Sequence, residues 1–417
     1  MSAGTDAPSR LARRLGTLDA VVIGLGSMIG AGVFAAFGPA ARAAGNGLLF
    51  GLAVAALVAY CNARSSAQLA AIYPESGGAY VYGRKRLGRL AGFVAGWGFV
   101  VGKLASCAAM AMTFGTYAAP SLARPLAIGA AVALTAVNYL GVKKTAGLTR
   151  VIVAAVLAAL SVVVGAVWFG GSADLGRLWP LDGTSAYGIL QSAGFMFFAF
   201  AGYARIATLG EEVIDPARTI SRAIPIALGI TLVVYAAVAV SVLAGAGATE
   251  IAASTTPLAT AVQRGRLGWL APVVRVGATL ASFGVLLSLL VGVSRTVFAM
   301  ARNRDLPTFL SAIHPRYRVP HRAELAVGAV VATVAALADV RSAIGFSSFA
   351  VLIYYSIANA AAWTLAPEQR RSSRGLSVVG LIGCVLLAFT LPLPSLLWGA
   401  AVLGAGAIVS SIVARRS

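Results

Sequence analysis

Acidic side chains are scarce in this sequence: 13 Asp and Glu stand among 417 residues, against 33 Lys and Arg, and only 11% of the chain is charged. Histidine occurs twice, as His314 and His321 in one basic loop, and the cysteines Cys61, Cys107 and Cys384 lie far apart in apolar stretches. That inventory gives no support to a Cys/His metal site or a disulfide framework. It is also poor in the paired carboxylates and activated nucleophiles that an enzyme needs. No GxxxxGK[ST] loop is present and no strand precedes a glycine loop, so nucleotide hydrolysis is not indicated and no cofactor is expected.

What the sequence has instead is apolar length: 59% of the residues are hydrophobic and 47 are glycine. A soluble protein of this size could not cover so much apolar surface, and at about 20 residues per membrane-spanning helix the supply suffices for about twelve spans. Apolar stretches fall near 17–41, 46–70, 88–118, 121–141, 148–170, 187–209, 222–247, 270–301, 323–338, 343–364, 376–391 and 394–413. The expected fold is all-α and integral to the membrane, with twelve transmembrane helices. Its expected organisation is a tail at 1–16, a first five-helix block at 17–170, a second at 187–365 and two further helices at 376–413. The connections are too short to hold a soluble domain. The stretch after Arg10, Arg13 and Arg14 has the length of a span and no small-residue cleavage pattern, so it reads as a retained first helix.

The net charge of +20 would suggest a nucleic-acid partner in a soluble chain. Here the placement of the basic residues gives it another meaning. With the amino terminus inside, 22 Lys and Arg fall in inner segments and six, Arg42, Arg124, Arg177, Arg264, Arg266 and Arg341, in outer ones. Basic residues are retained on the cytoplasmic side, so both termini are expected there, in a multi-pass protein of the cell membrane. The charge is then a topology signal, and the expected surroundings are lipid, with no nucleic acid.

Within the first span, Gly24, Gly26, Gly30 and Gly32 crowd into nine residues near bilayer-centre depth. Each glycine costs about 1 kcal/mol relative to alanine inside a helix, and unpaired backbone is tolerated in a bilayer only where it lines a cavity or is buried in protein. Two readings follow. The helix is interrupted over Ser27, Met28, Ile29, Gly30, Ala31 and Gly32, offering amides that favour an anion. Alternatively, Gly26 and Gly30 form a GxxxG contact between helices. The sixth span carries a comparable run, Phe197, Phe198, Ala199, Phe200, Ala201, Gly202 and Tyr203, followed by Arg205, Glu211, Glu212 and Asp215. A break near Gly202 would place two interrupted helices at matching positions of two five-helix blocks, as an inverted 5+5 repeat requires.

These residues carry a resemblance. The segment GSMIGAGVF from Gly26 to Phe34, PESGGAY from Pro74 to Tyr80, FFAFAGY from Phe197 to Tyr203 with Glu211 and Glu212 behind it, and the stretch from Arg295 to Pro307 resemble, in this order, the amino acid/polyamine/organocation permease family. The resemblance implies a LeuT-type fold and transport of amino acids or related amines. It further implies that the first break binds the substrate carboxylate through the amides of Met28, Ala31 and Gly32. The second would bind the ammonium through the carbonyls of Phe198 and Ala201, with Phe198 as an aromatic gate and Phe200 beside it. Some proton-coupled relatives hold a lysine in the fifth helix, where this sequence has Leu157.

Lys103 lies midway along the third span, flanked by Gly102 and Ser106. An ionisable residue at that depth costs roughly 2.5 to 3.5 kcal/mol on insertion scales and is functional by default. It is expected near the substrate, either as a proton carrier or as a fixed positive charge; the alternative is a structural or snorkelling lysine. Arg205 and Glu211, with Arg295 and Asp19, are candidates for inner-gate ion pairs, against ordinary interface anchoring. The function expected from all of this is secondary active transport of an amino acid by alternating access, with protons as a candidate coupling ion. A polyamine or other organic-cation carrier is the alternative, and the oligomeric state is left open.

Overall fold

A computed structural model describes residues 15–30, 32–73, 75, 77–141, 146–179, 184–207 and 213–416. Among them there is no strand beyond one isolated bridge, and the chain runs through sixteen α-helices. The first part holds α1 (Thr17–Met28), α2 (Gly32–Ala44), α3 (Leu48–Ile72), the short α4 (Ala79–Leu87), α5 (Arg89–Ala118), α6 (Ala123–Tyr139) and α7 (Ala146–Phe169). The second holds α8 (Ala186–Phe200), the single turn α9 (Ala204–Ala207), α10 (Pro216–Ala253), α11 (Pro257–Gln263), α12 (Ala271–Arg302), α13 (His321–Leu337) and α14 (Val340–Trp363). Last come α15 (Arg374–Thr390) and α16 (Leu393–Arg416).

Eight helical segments of the described residues are long and apolar enough to cross a membrane. The twelve stretches read from hydropathy do not all yield helices of that length, because some are cut into shorter rods and others are single short helices. α1 and α2 have 12 and 13 residues, α8 has 15, and α13 and α15 have 17 each. At the other extreme α5, with 30 residues, extends about 45 Å at 1.5 Å per residue. That exceeds the roughly 30 Å hydrocarbon core, so the helix must tilt or emerge. α10 is bent where Gly247 leaves helical geometry at φ 76°.

The packing is helix on helix. α5 lies at the centre, against α12, α14, α6 and α4, while α3 packs on α8 and α10, and α2 on α8. Small residues allow this closeness: on α5, Gly92, Ala95, Gly96, Gly98, Gly102, Ala105 and Ala108 are all buried. Large apolar side chains also face outward, with Phe169 88% and Leu337 79% exposed. Lipid tails satisfy such a surface and water does not. At one end, Leu15 pairs with Val213 in the isolated bridge, and the Ile214 amide donates to the Leu15 carbonyl at 2.9 Å. The entry to α1 is thereby tied to the segment leading into α10.

Candidate functional site

α1 closes at Met28, and the amide of Ile29 caps it by donating to the Leu25 carbonyl at 2.7 Å. The chain bends over Ile29 and Gly30, and helix resumes at Gly32. α8 closes at Phe200 and tightens into a 3-10 turn over Ala201–Tyr203 before α9. The ends of these rods touch. A Cβ added to Gly202 would collide with the Ser27 carbonyl, and one added to Gly32 would lie 2.8 Å from the Ala199 Cα. Only residues without a side chain permit that approach. From α10, the buried Tyr235 hydroxyl reaches both sides, contacting the Met28 carbonyl and lying 3.1 Å from the Ala199 carbonyl. A phenol thus bridges two carbonyls that their helices leave without an intrahelical partner.

Beside this junction lies a cavity of about 240 Å³, below the roughly 300 Å³ at which sites for drug-sized ligands begin. Ser27, Met28, Gly32, Phe198, Ala201 and Gly202 line it, and so do Lys103 and Arg205. Ile29, Gly30 and Phe200 stand behind its wall: Ile29 is buried, Gly30 faces Val285, and the Phe200 ring lies 5.1 Å from that of Tyr235. Ala31 and Glu211, with Glu212, lie outside the described residues. Lys103 is 7% exposed, on the face of α5 toward the cavity. One turn further along α5, Ser106 shares a 2.7 Å hydrogen bond with Ser347 of α14.

Asp19 does not join Arg205; it accepts from Arg150 of α7 at 2.6 Å and from the Gly16 amide at 3.2 Å. Asp215 caps α10, accepting from the Arg218 amide at 3.3 Å. A buried carboxylate, Asp305, contacts the cavity-lining Tyr80. It accepts from Tyr80 and from Arg84, both at 2.7 Å, with Arg89 at 3.7 Å. The Asn303 amide donates to the same phenol at 2.8 Å.

Two residues past Gly32, Phe34 of α2 packs against Tyr117 of α5. Their rings meet edge to face at 5.8 Å, and the Tyr117 hydroxyl donates to the Phe34 carbonyl at 3.1 Å. Phe34 also lines a second cavity of about 340 Å³, together with Arg42, Arg124, Arg341 and Asp339 among others.

The sequence model of amino acid permeases matches residues 15–413. The chain belongs to the amino acid permease family. It is 62% identical over 415 residues to an uncharacterized transporter of Mycobacterium tuberculosis, covering 99% of this chain and 94% of the relative. It is 26% identical to a branched-chain amino acid permease of Bacillus subtilis, over 91% of this chain and 86% of that one. To the human cationic amino acid transporter 4 it is 29% identical, over 83% of this chain and 58% of the relative. The permease is a multi-pass membrane protein and a transporter, not an enzyme.

Sequence reasoning missed three parts of this site. Tyr235 stands alone in an apolar helix and gave no signal. Ser347 and Tyr354 also escaped notice; the Tyr354 hydroxyl accepts from the Ala79 amide at 3.0 Å and lines the cavity. Asp305 sat within a quoted motif, and so did Tyr80, but nothing in their spacing said that they meet.

Proposed function

We propose that this permease moves an amino acid across the cell membrane by alternating access, holding it between the interrupted α1–α2 and α8–α9 rods. In this reading the chain crosses the membrane twelve times with both termini in the cytoplasm. α1–α2 together count as the first span and α8–α9 as the sixth, each opening one half of an inverted repeat. The observation that carries it is the contact of Gly202 with the Ser27 carbonyl beside a cavity. Two helix interruptions meet where a small solute fits.

The chemistry follows from the rods' ends. The first amides of α2, from Gly32 on, have no intrahelical acceptor and sit at a positive dipole end, which suits a carboxylate. Met28 closes α1, so it offers a carbonyl and not a free amide. The carbonyls of Phe198 and Ala201, at the negative end of α8, suit an ammonium. A zwitterion therefore finds both poles without a buried side-chain charge. Phe198, half-buried in the cavity wall, is placed to cover the ligand.

The test is uptake of radiolabelled alanine, glutamate and putrescine by purified permease in proteoliposomes, with and without a proton or sodium gradient. Uptake of an amino acid is expected, and the gradient arms identify the coupling ion. Uptake of putrescine alone would falsify the assignment and favour an organic-cation carrier.

A further inference from the structure

Resting on that reading, we propose that the transported solute is an anionic amino acid, with two carboxylates, and that Lys103 receives the second one. The zwitterionic head group is provided for by the helix ends. That leaves an ammonium, 7% exposed in the wall of the same cavity, which makes no ion pair or hydrogen bond among the described residues. A buried cation without a counter-charge is costly, and a lysine that was merely structural would be expected to have a carboxylate or carbonyl beside it. No Asp or Glu of the described residues lines it; Arg205 and Arg295 also stand in the wall, but Arg205 is engaged in an interaction of its own and Arg295 faces the charge of the buried Glu324. Asp305, below the cavity, is already held by Arg84, Arg89 and Tyr80.

The second cavity, which Phe34 helps to line, is also rich in basic residues. Arg42, Arg124 and Arg341 line it with a single acid, Asp339. The two oxygens of Asp339 accept from the Ser342 amide at 3.0 Å and the Ser342 hydroxyl at 2.6 Å, as the cap of α14. Low-dielectric clefts lined by one sign of charge concentrate the opposite charge. Arginine, lysine and polyamines are disfavoured, because their charge opposes Lys103 at the binding step. A cavity of about 240 Å³ has room for a single amino acid.

The experiment compares wild type, Lys103→Gln and Lys103→Arg in proteoliposomes, each offered labelled aspartate, glutamate, alanine and arginine. Ligand-induced thermal stabilisation in detergent is the second readout, which also reports whether each variant is folded. Wild type is expected to take up aspartate or glutamate at least tenfold more efficiently than alanine and arginine. Lys103→Gln is expected to lose that uptake, and the stabilisation by the same ligand, at least tenfold, while Lys103→Arg keeps part of both. Transport of alanine or arginine without the dicarboxylates would overturn the proposal and leave the amino acid reading standing. So would a Lys103→Gln variant that moves glutamate as wild type does. If no amino acid is transported by a stable wild-type sample, the broader reading fails and this one with it.

Discussion

The Tyr80 phenol donates a 2.7 Å hydrogen bond to Asp305, 225 residues further along the chain, and Arg84 reaches the same carboxylate oxygen at 2.7 Å. Two motifs of the sequence, one after α3 and one after α12, are thus a single structure. It fastens the short α4 to the end of α12 beneath the cavity. The Asp305 side chain is fully buried, while Arg84 is 36% exposed, so solvent screens part of the attraction.

Removing the carboxylate should therefore cost less than the about 3 to 5 kcal/mol of a fully buried pair. Asp305→Ala is expected to lower the unfolding free energy by about 2 kcal/mol, because Arg84 and Arg89 can turn to water but Tyr80 loses its acceptor. Tyr80→Phe, which keeps the ring and the Arg84–Asp305 pair, is expected to cost about 1 kcal/mol. Denaturant unfolding in detergent measures both. Equal losses for the two variants would mean that the ion pair contributes nothing.

Tyr235→Phe isolates one hydroxyl. The ring contact with Phe200 survives, but the Met28 and Ala199 carbonyls lose their shared donor in a dry environment. A stability loss of about 1 to 2 kcal/mol is expected. A fall of several-fold in uptake rate should accompany it, since the phenol holds the two interrupted rods in register. Unchanged uptake with reduced stability would confine Tyr235 to a structural role.

The glycine contacts give a sharper contrast. Gly202→Ala and Gly32→Ala each put a methyl group against backbone that cannot rotate away, and overpacking of that kind costs about 1 to 3 kcal/mol. Both should reach the membrane and fail to transport. Gly129→Ala on α6 has nothing within 4 Å of the new Cβ and should gain up to about 1 kcal/mol of helix stability with transport unchanged. Loss of uptake in all three would point to a general intolerance and not to the meeting of the rods.

Glycine and aromatic clusters marked where an otherwise uniform apolar pattern changes, though they could not tell an interrupted helix from a GxxxG contact, and the mid-span charge of Lys103 singled it out without deciding between a functional and a structural lysine. Which ring faces the ligand was not legible. Phe198 and Phe200 are two residues apart, about 200° around a helix, so one lines the cavity while the other is buried against Tyr235. Hydropathy merged α1 with α2 because a bend of two or three apolar or glycine residues leaves no trace in an average. Pairings such as Asp19 with Arg150, 131 residues apart, depend on tertiary approach, and no local pattern encodes them.

If the Phe34–Tyr117 contact is the seal between the two cavities that alternating access requires, each cavity should see one side of the membrane. Thr296 lines the first cavity and Thr116 the second, and both are half-buried. The three native cysteines are all buried, so their background reactivity should be low. In sealed vesicles of defined orientation, Thr296→Cys is expected to react with a membrane-impermeant maleimide from the side that bears the termini, and Thr116→Cys from the other. Saturating substrate should slow the first reaction several-fold by filling the cavity, and it should leave the second unchanged or faster as the barrier opens. Labelling of Thr296→Cys from both sides in the absence of substrate would mean that the Phe34–Tyr117 contact does not seal, which a carrier working by alternating access cannot tolerate.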